Sequence, residues 1–267
     1  MIFTSYYGNL KNIHKDREAV SISRTQPSGI DLVADMRLAP TAELRTAFAD
    51  GKIGIEDFAR LYEEDVLFSL DPAKIAEEHE GKTLLCYESP SDFCHRKVVR
   101  KWLAKHGKLS LEYQNSYTIA VVGSRGYENE EEFFRLMDRL LASFDDSQKI
   151  SLVSGGAAGA DSLAESYAQA RGVGIDVIEA DWSRYGKSAG FVRNKDIWKR
   201  ADFGIAFWDG ESKGTKHSFD LARNLGKTLV VYDYVQKRFF VKNFEPYVTK
   251  ADAINNRKKR YKAPSLF

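Results

Sequence analysis

Residues 151–161 read SLVSGGAAGAD, and this stretch decides how the C-terminal half is understood. An apolar run stops at Ser154, gives way to Gly155, Gly156 and Gly159, and meets Asp161 where a helical pattern begins. A buried strand that turns sharply into a helix has this form. Residues without a Cβ let another group approach the unpaired N–H groups of the helix N-terminus, where the dipole favours an anion. Glycines also collect where a helix merely packs tightly on a sheet, so this loop alone leaves both readings open. It is neither a Walker loop nor a GxGxxG fingerprint.

Outward from it the pattern recurs. TIAVVG (118–123), KISLVSGG (149–156), IDVIEA (175–180), DFGIAFWDG (202–210) and TLVVYD (228–233) are short apolar runs. Segments with apolar residues at helical spacing separate them, such as EEEFFRLMDRLLASF (130–144) and GTKHSFDLARNLG (214–226). This alternation predicts a Rossmann-like five-stranded parallel sheet with helices on both faces. Ligands of such sheets bind outside the carboxyl ends of the strands, so the loops after the strands carry the candidates. Gly123, Ser124 and Arg125 follow the first strand. Gly210 and Gly214 follow another, with Thr215 placed to cap a helix and donate to an anion. In WSRYGKSAGFVRN (182–194), Arg193 suits bidentate contact with phosphate and Asn194 supplies an amide. The plainer reading of each cation is a solvated surface charge.

The first half is a smaller α/β domain with less regular alternation. MIFTSYYGN, DLVADMR and KTLLCYE read as strands; TAELRTAFADG, IEDFARLYEEDVLFSL and DFCHRKVVRKWLAKHG read as helices. Its chemistry gathers in LLCYESPSDFCHR (84–96), which sets Cys94, His95 and Arg96 at a helix start. The dipole and Arg96 would both favour a thiolate, which makes Cys94 a candidate nucleophile; the alternative is a buried packing cysteine. Cys86, Cys94 and His95 lack a fourth ligand at ordinary spacing, and adjacent Cys and His are awkward partners in one tetrahedron, so no metal and no cofactor are expected. Asp35 and Arg37, with Glu88, form either a polar pocket or an ion network with Arg96.

At 267 residues the chain has room for two domains. We place a Cys-His-Arg domain at 1–112, a Rossmann-like domain at 113–235 and an extension with a basic tail at 236–267, with the linker between Gly107 and Ser116. Two cysteines, no secretory pattern at the start and no long apolar span argue for a reducing cytoplasm and against a membrane. Residues 1–115 carry 16 Lys and Arg against 18 Asp and Glu, and residues 116–267 carry 24 against 20, so neither part offers a duplex much positive surface. Five of those 24 lie in AINNRKKRYKAPSLF (253–267), a tail that either contacts a polyanion or is simply solvated.

The motifs VVGSRGY, VSGGAAGAD, DWSRYGKSAGFVRN and AFWDGESKGTKHSFDLA, in that order over about residues 117–233, resemble the YspA-like branch of the SLOG superfamily of Smf and Lonely Guy proteins. The resemblance implies a Rossmann-like fold binding a nucleotide or nucleotide-derived ligand, through Gly123, Ser124, Arg125, Gly155, Gly156, Gly159, Asp161, Arg193, Asn194, Gly214 and Thr215. Lonely Guy phosphoribohydrolases carry a glutamate three residues beyond their Gly-Thr pair, where this chain has Ser218. Asp161, Glu165 or Asp220 would have to replace it. TSYYGN, LVADMR and LLCYESPSDFCHR, over about residues 2–106, resemble the DUF family numbered 488, which implies candidate residues Asp35, Arg37, Cys86, Glu88, Cys94, His95 and Arg96 without a settled reaction. Three functions stay open: N-glycosidic cleavage or related nucleotide processing, nucleotide sensing without turnover, and an accessory role in nucleic-acid processing. The expected partner is a nucleotide-like small molecule, with nucleic acid and a second copy of the chain as further candidates.

Overall fold

The computed structural model describes residues 1–247, so the basic tail at 253–267 lies outside the described residues. The described residues form two units, Met1–Tyr113 with Pro246 and Tyr247, and Gln114–Glu245. Both are α/β.

The first unit runs β1 (Ile2–Tyr6), β2 (Ala19–Ser21), α1 (Ala42–Ala49), α2 (Ile55–Asp65), α3 (Pro72–Glu78), β3 (Thr83–Cys86), α4 (His95–Lys105) and β4 (Ser110–Glu112). Its four strands are parallel in the order β2-β3-β1-β4. Two expectations need correcting. DLVADMR is no strand: it touches the sheet only where Ala34 bridges Ser21, and the Asp35 carboxylate then accepts from the Arg37 N–H to start a short turn at Met36–Leu38. The segment taken as linker contains β4, which pairs with β1. Its signal is faint because it has three residues, one of which, Glu112, turns its charge onto buried arginines rather than to solvent.

The second unit runs β5 (Ser116–Gly123), α5 (Glu130–Leu141), β6 (Lys149–Ser154), α6 (Ala160–Arg171), β7 (Gly174–Val177), α7 (Trp182–Tyr185), α8 (Ala189–Arg200), β8 (Phe203–Trp208), α9 (Lys213–Asn224), β9 (Thr228–Asp233) and β10 (Arg238–Asn243). The sheet order is β10-β9-β8-β5-β6-β7. The five expected parallel strands are all present. The sixth, β10, runs antiparallel to β9 and lies in the stretch assigned from sequence to a C-terminal extension.

Local physics explains the helices. Asn129 caps α5 by accepting from the Glu132 N–H at 3.0 Å, Glu130 to Glu132 complement the dipole, and Phe133, Leu136 and Met137 recur at core spacing. Gly172 ends α6 in the left-handed conformation. Because β5 pairs with β6 on one side and β8 on the other, the winding direction reverses between β5 and β8. That switch point is where the loops after β5 and β8 diverge and leave a crevice.

Candidate functional site

A cavity of about 510 Å³ opens at this switch point in the second unit. The N-terminus of α9 forms one wall. Ser212 makes no side-chain cap there, and the backbone N–H groups of Lys213, Gly214 and Thr215 have no partner among the described residues. Asp209 holds the turn beneath by accepting from the N–H groups of Glu211 at 2.9 Å and Ser212 at 2.7 Å, while the Thr215 hydroxyl donates to Ser212 Oγ at 3.1 Å. A Cβ at Gly214 would meet nothing within 4 Å, so the helix end is open to an incoming group. Arg125 and Lys187 line the same cavity, are exposed, and make no hydrogen bond or ion pair with the described residues. Trp182 and Phe191, 55% and 47% exposed, add two aromatic faces that no core claims.

At the glycine loop the geometry follows the packing alternative of the two readings. A Cβ on Gly123 would strike the Ala160 Cβ at 2.5 Å and the Phe207 carbonyl at 2.6 Å. One on Gly159, at φ +82°, would strike the carbonyls of Ser124 and Arg125. These two glycines let α6 and the loop after β5 touch backbone to backbone. Gly156, at φ +63°, faces Val177, away from the cavity. Gly155 lies under Arg193, whose NH1 donates to the Gly155 carbonyl. The anion that the α6 N-terminus favours is supplied by the chain itself: Asp161 Oδ2 accepts from the Ala157 N–H at 3.3 Å and sits 3.7 Å from Arg193 NH1. Burial raises Asp161 to about 6 although Arg193 and the N–H groups of Ala157 and Gly155 oppose the shift. Burial, with the charge of Arg125 nearby, lowers Arg193 against the pull of Asp161. Arg193 is therefore chiefly a clamp on the loop, and its Nε donates to Asn194 Oδ1 at 3.1 Å.

The first unit has a cavity of about 280 Å³ at the carboxyl end of β3. Cys86, Glu88, Cys94 and His95 line it. Cys86 Sγ lies 3.3 Å from His95 Nδ1 and 3.2 Å from Glu88 Oε2, and Cys94 Sγ lies 3.9 Å from the same Nδ1. His95 Nε2 is 2.8 Å from the Ile22 carbonyl, which can only accept, so Nε2 carries a proton and a neutral ring keeps Nδ1 as its acceptor. Burial, reinforced by Cys86, pushes the Cys94 thiol up to about 12, and Arg96 and His95 only partly offset this. Of the two readings for Cys94, its burial favours the protonated packing thiol over a thiolate at the helix end. Burial, with Cys94 adding to it, raises Glu88 to about 7. Arg96 does not reach the cavity: its Nε is 3.2 Å from both Glu112 oxygens, and its NH1 donates to the Glu88 carbonyl at 2.5 Å. Asp35 and Arg37 stand apart from the box as well. They pair with each other, with Glu78 and with His79, whose Nε2 is 2.9 Å from Asp35 Oδ2.

Residues 117–185 match the YspA, cpYpsA-related SLOG family, and residues 2–107 match the active DUF488-N3 subclade. The two matches fall on separate parts of the chain, one in each unit. Gene 61 protein of Mycobacterium phage D29 is 34% identical over 115 residues, which make up 40% of this chain and 90% of that protein. DNA processing protein A from Helicobacter pylori, whose structure describes single-stranded DNA binding, is 19% identical with a TM-score of 0.35. That alignment covers 43% of this chain and 64% of the other, under two thirds of its length. A likeness that low bears on neither fold nor ligand.

The SLOG match ends at Tyr185, so Arg193, Asn194, Gly214 and Thr215 stand on geometry. Of the residues proposed from sequence, Gly123, Arg125, Asp161, Arg193, Asn194, Gly214 and Thr215 line the SLOG cavity. Ser124 instead accepts from the Asp209 N–H at 3.2 Å and ties β5 to β8. Among the substitutes for the missing glutamate at Ser218, only Asp161 lines the cavity; Glu165 lies near Gly156 and Asp220 pairs with Arg223. Trp182, Lys187 and Phe191 were missed. Their signal was present in WSRYGKSAGF, where aromatic residues stand in a polar, glycine-rich loop with no core periodicity to explain them.

Proposed function

We propose that the SLOG unit binds a nucleotide or nucleotide-derived ligand, with a phosphate on the open end of α9. The observation that carries this reading is the uncapped first turn Lys213–Thr215, facing a cavity that also holds the unpaired Arg125 and Lys187. Free N–H groups, a helix dipole and two cations are what a phosphate needs. The exposed rings of Trp182 and Phe191 suit the base, because any base offers a face for stacking. A cavity of this size accommodates such a ligand.

Turnover is the second reading, and Asp161 favours it. A carboxyl raised to about 6 on the cavity wall is poised to give or take a proton near neutral pH. It would serve N-glycosidic cleavage where Ser218 replaces the usual glutamate. Native mass spectrometry of the purified chain tests binding: a nucleotide-sized mass that leaves on mild denaturation supports it, and a ligand-free chain that also takes up no added nucleotide opposes it. Base release from nucleoside monophosphates, present in wild type and absent in Asp161→Asn with binding retained, would establish turnover. Binding without release in wild type leaves a sensor.

A further inference from the structure

We propose that Cys86, Cys94 and His95 of the DUF488-N3 unit form a binding site for one soft divalent cation, of which zinc fits best, with its fourth coordination position open to the cavity. Sequence spacing argued against a metal because Cys94 and His95 are neighbours. The fold removes that objection. Cys94 is extended, at φ −146° and ψ 144°, while His95 is the first residue of α4, and this break lets both side chains turn to one point. Cys86 arrives from the end of β3. Sγ of Cys86, Sγ of Cys94 and Nδ1 of His95 all lie within 4.8 Å of one another, with the two sulfurs 3.3 and 3.9 Å from Nδ1. Ligands about 2.0–2.3 Å from a tetrahedral ion stand roughly 3.5 Å apart, so little movement is needed to enclose one.

The orientation of His95 is an independent observation. A histidine that binds a metal through one ring nitrogen characteristically donates the other N–H to a fixed acceptor, which sets the tautomer and the ring plane. His95 Nε2 meets the Ile22 carbonyl at 2.8 Å, and the ring stands nearly perpendicular to that of Tyr62 with centroids 5.6 Å apart. Nδ1 is thereby aimed at the two sulfurs. Two thiolates and an imidazole prefer a soft or borderline ion over magnesium or calcium. Glu88 touches Cys86 but does not join the group of mutually close donors, so the ligand set has three members. Three protein ligands beside a cavity leave room for a water or substrate atom, the arrangement of a reactive rather than a structural zinc site. On binding, the ion replaces the two thiol protons, which pass to solvent.

The full chain, reduced, stripped with chelator and titrated with cobalt(II), tests the site. We expect about one ion per chain and the strong near-ultraviolet charge-transfer absorption of cobalt–thiolate bonds. Cys94→Ser and His95→Gln should each weaken binding more than the about 10–100-fold that loss of a supporting hydrogen bond costs, and Glu88→Gln should leave the thiolate absorption in place. Should the buried variants fail to fold, the wild-type protein is sufficient: zinc must protect both cysteines from N-ethylmaleimide, and chelator must restore labelling. No cobalt–thiolate band, a band unchanged by Cys94→Ser, or labelling indifferent to zinc overturns the proposal.

Discussion

The two cavities are built on opposite principles. In the DUF488-N3 unit the polar groups face one another: thiols, imidazole and carboxyl lie within contact distance, and Arg96 is drawn away to Glu112. In the SLOG unit the groups that matter are left over. Arg125, Lys187 and the first N–H groups of α9 are unspent, while Arg193 and Asp161 satisfy each other. A cluster that converges on a point suits a bound atom; a concave wall of unmatched donors and bare rings suits an extended anionic molecule. Similar α/β frames therefore do not imply similar ligands.

The largest expected effect breaks the first cavity's support. Glu112 lies between two buried arginines, Arg96 and Arg100, and also accepts from the Thr4 hydroxyl at 2.9 Å. Glu112→Ala removes the carboxylate that both buried guanidiniums share and should cost about 3–5 kcal/mol. Hydrogen exchange should then lose protection in β1, β3 and β4; unchanged protection would mean that the arginines find other partners.

Next comes the division of labour among glycines. Gly159→Ala places a Cβ against two carbonyls at positive φ and should cost about 2–4 kcal/mol in urea denaturation. Gly214→Ala meets open space on a helix, so it should leave stability level or raise it by up to about 1 kcal/mol, yet weaken phosphate binding. Equal stability losses at the two positions would erase the distinction between packing and access.

The third test uses pH. Asp161 titrates near 6 when folded against an ordinary value of 3.8, so its ionised form burdens the fold above pH 6 and the burden disappears below 3.8. Stability from this group is thus complete at low pH and lost as pH rises through that window. Asp161→Asn should gain on wild type by up to about 3 kcal/mol between about pH 4 and pH 7. A difference constant across that range would show that the carboxyl titrates normally. A smaller effect is expected at the rim, where Trp182→Ala should weaken nucleotide binding by about 1–3 kcal/mol by calorimetry, with little change in the affinity for inorganic phosphate. An equal loss for both ligands would remove the stacking role.

Much of the frame was legible. The five parallel strands of the SLOG unit announced themselves because buried parallel strands are continuously apolar and their helices keep a 3.6 period, as in Phe133, Leu136 and Met137. The short edge strands β2 and β4 were not legible, since three residues carry no periodicity and β4 has a buried serine and a glutamate, the latter paired with α4 and β1. The site was half legible. Strand-end loops named five of the cavity-lining residues, Gly123, Arg125, Asp161, Gly214 and Thr215, and the segment 182–194 added Arg193 and Asn194. They could not tell a glycine that borders open space, Gly214, from one that admits a backbone, Gly159, because that depends on which atom a Cβ would meet. The Cys-His-Arg box misled in another way: adjacency suggested Cys94, His95 and Arg96 as a unit, but the start of α4 turns His95 towards the thiols and Arg96 towards Glu112.

The most direct test of the nucleotide reading is calorimetric titration of the full chain with AMP, GMP, CMP, UMP and ADP-ribose, alongside the corresponding nucleosides, for wild type and Arg125→Ala. With a phosphate on the α9 end, at least one phosphorylated ligand binds, its nucleoside binds at least about tenfold more weakly, and Arg125→Ala narrows that gap. Nucleosides binding as tightly as their phosphates, or no phosphorylated ligand binding at all, would contradict it.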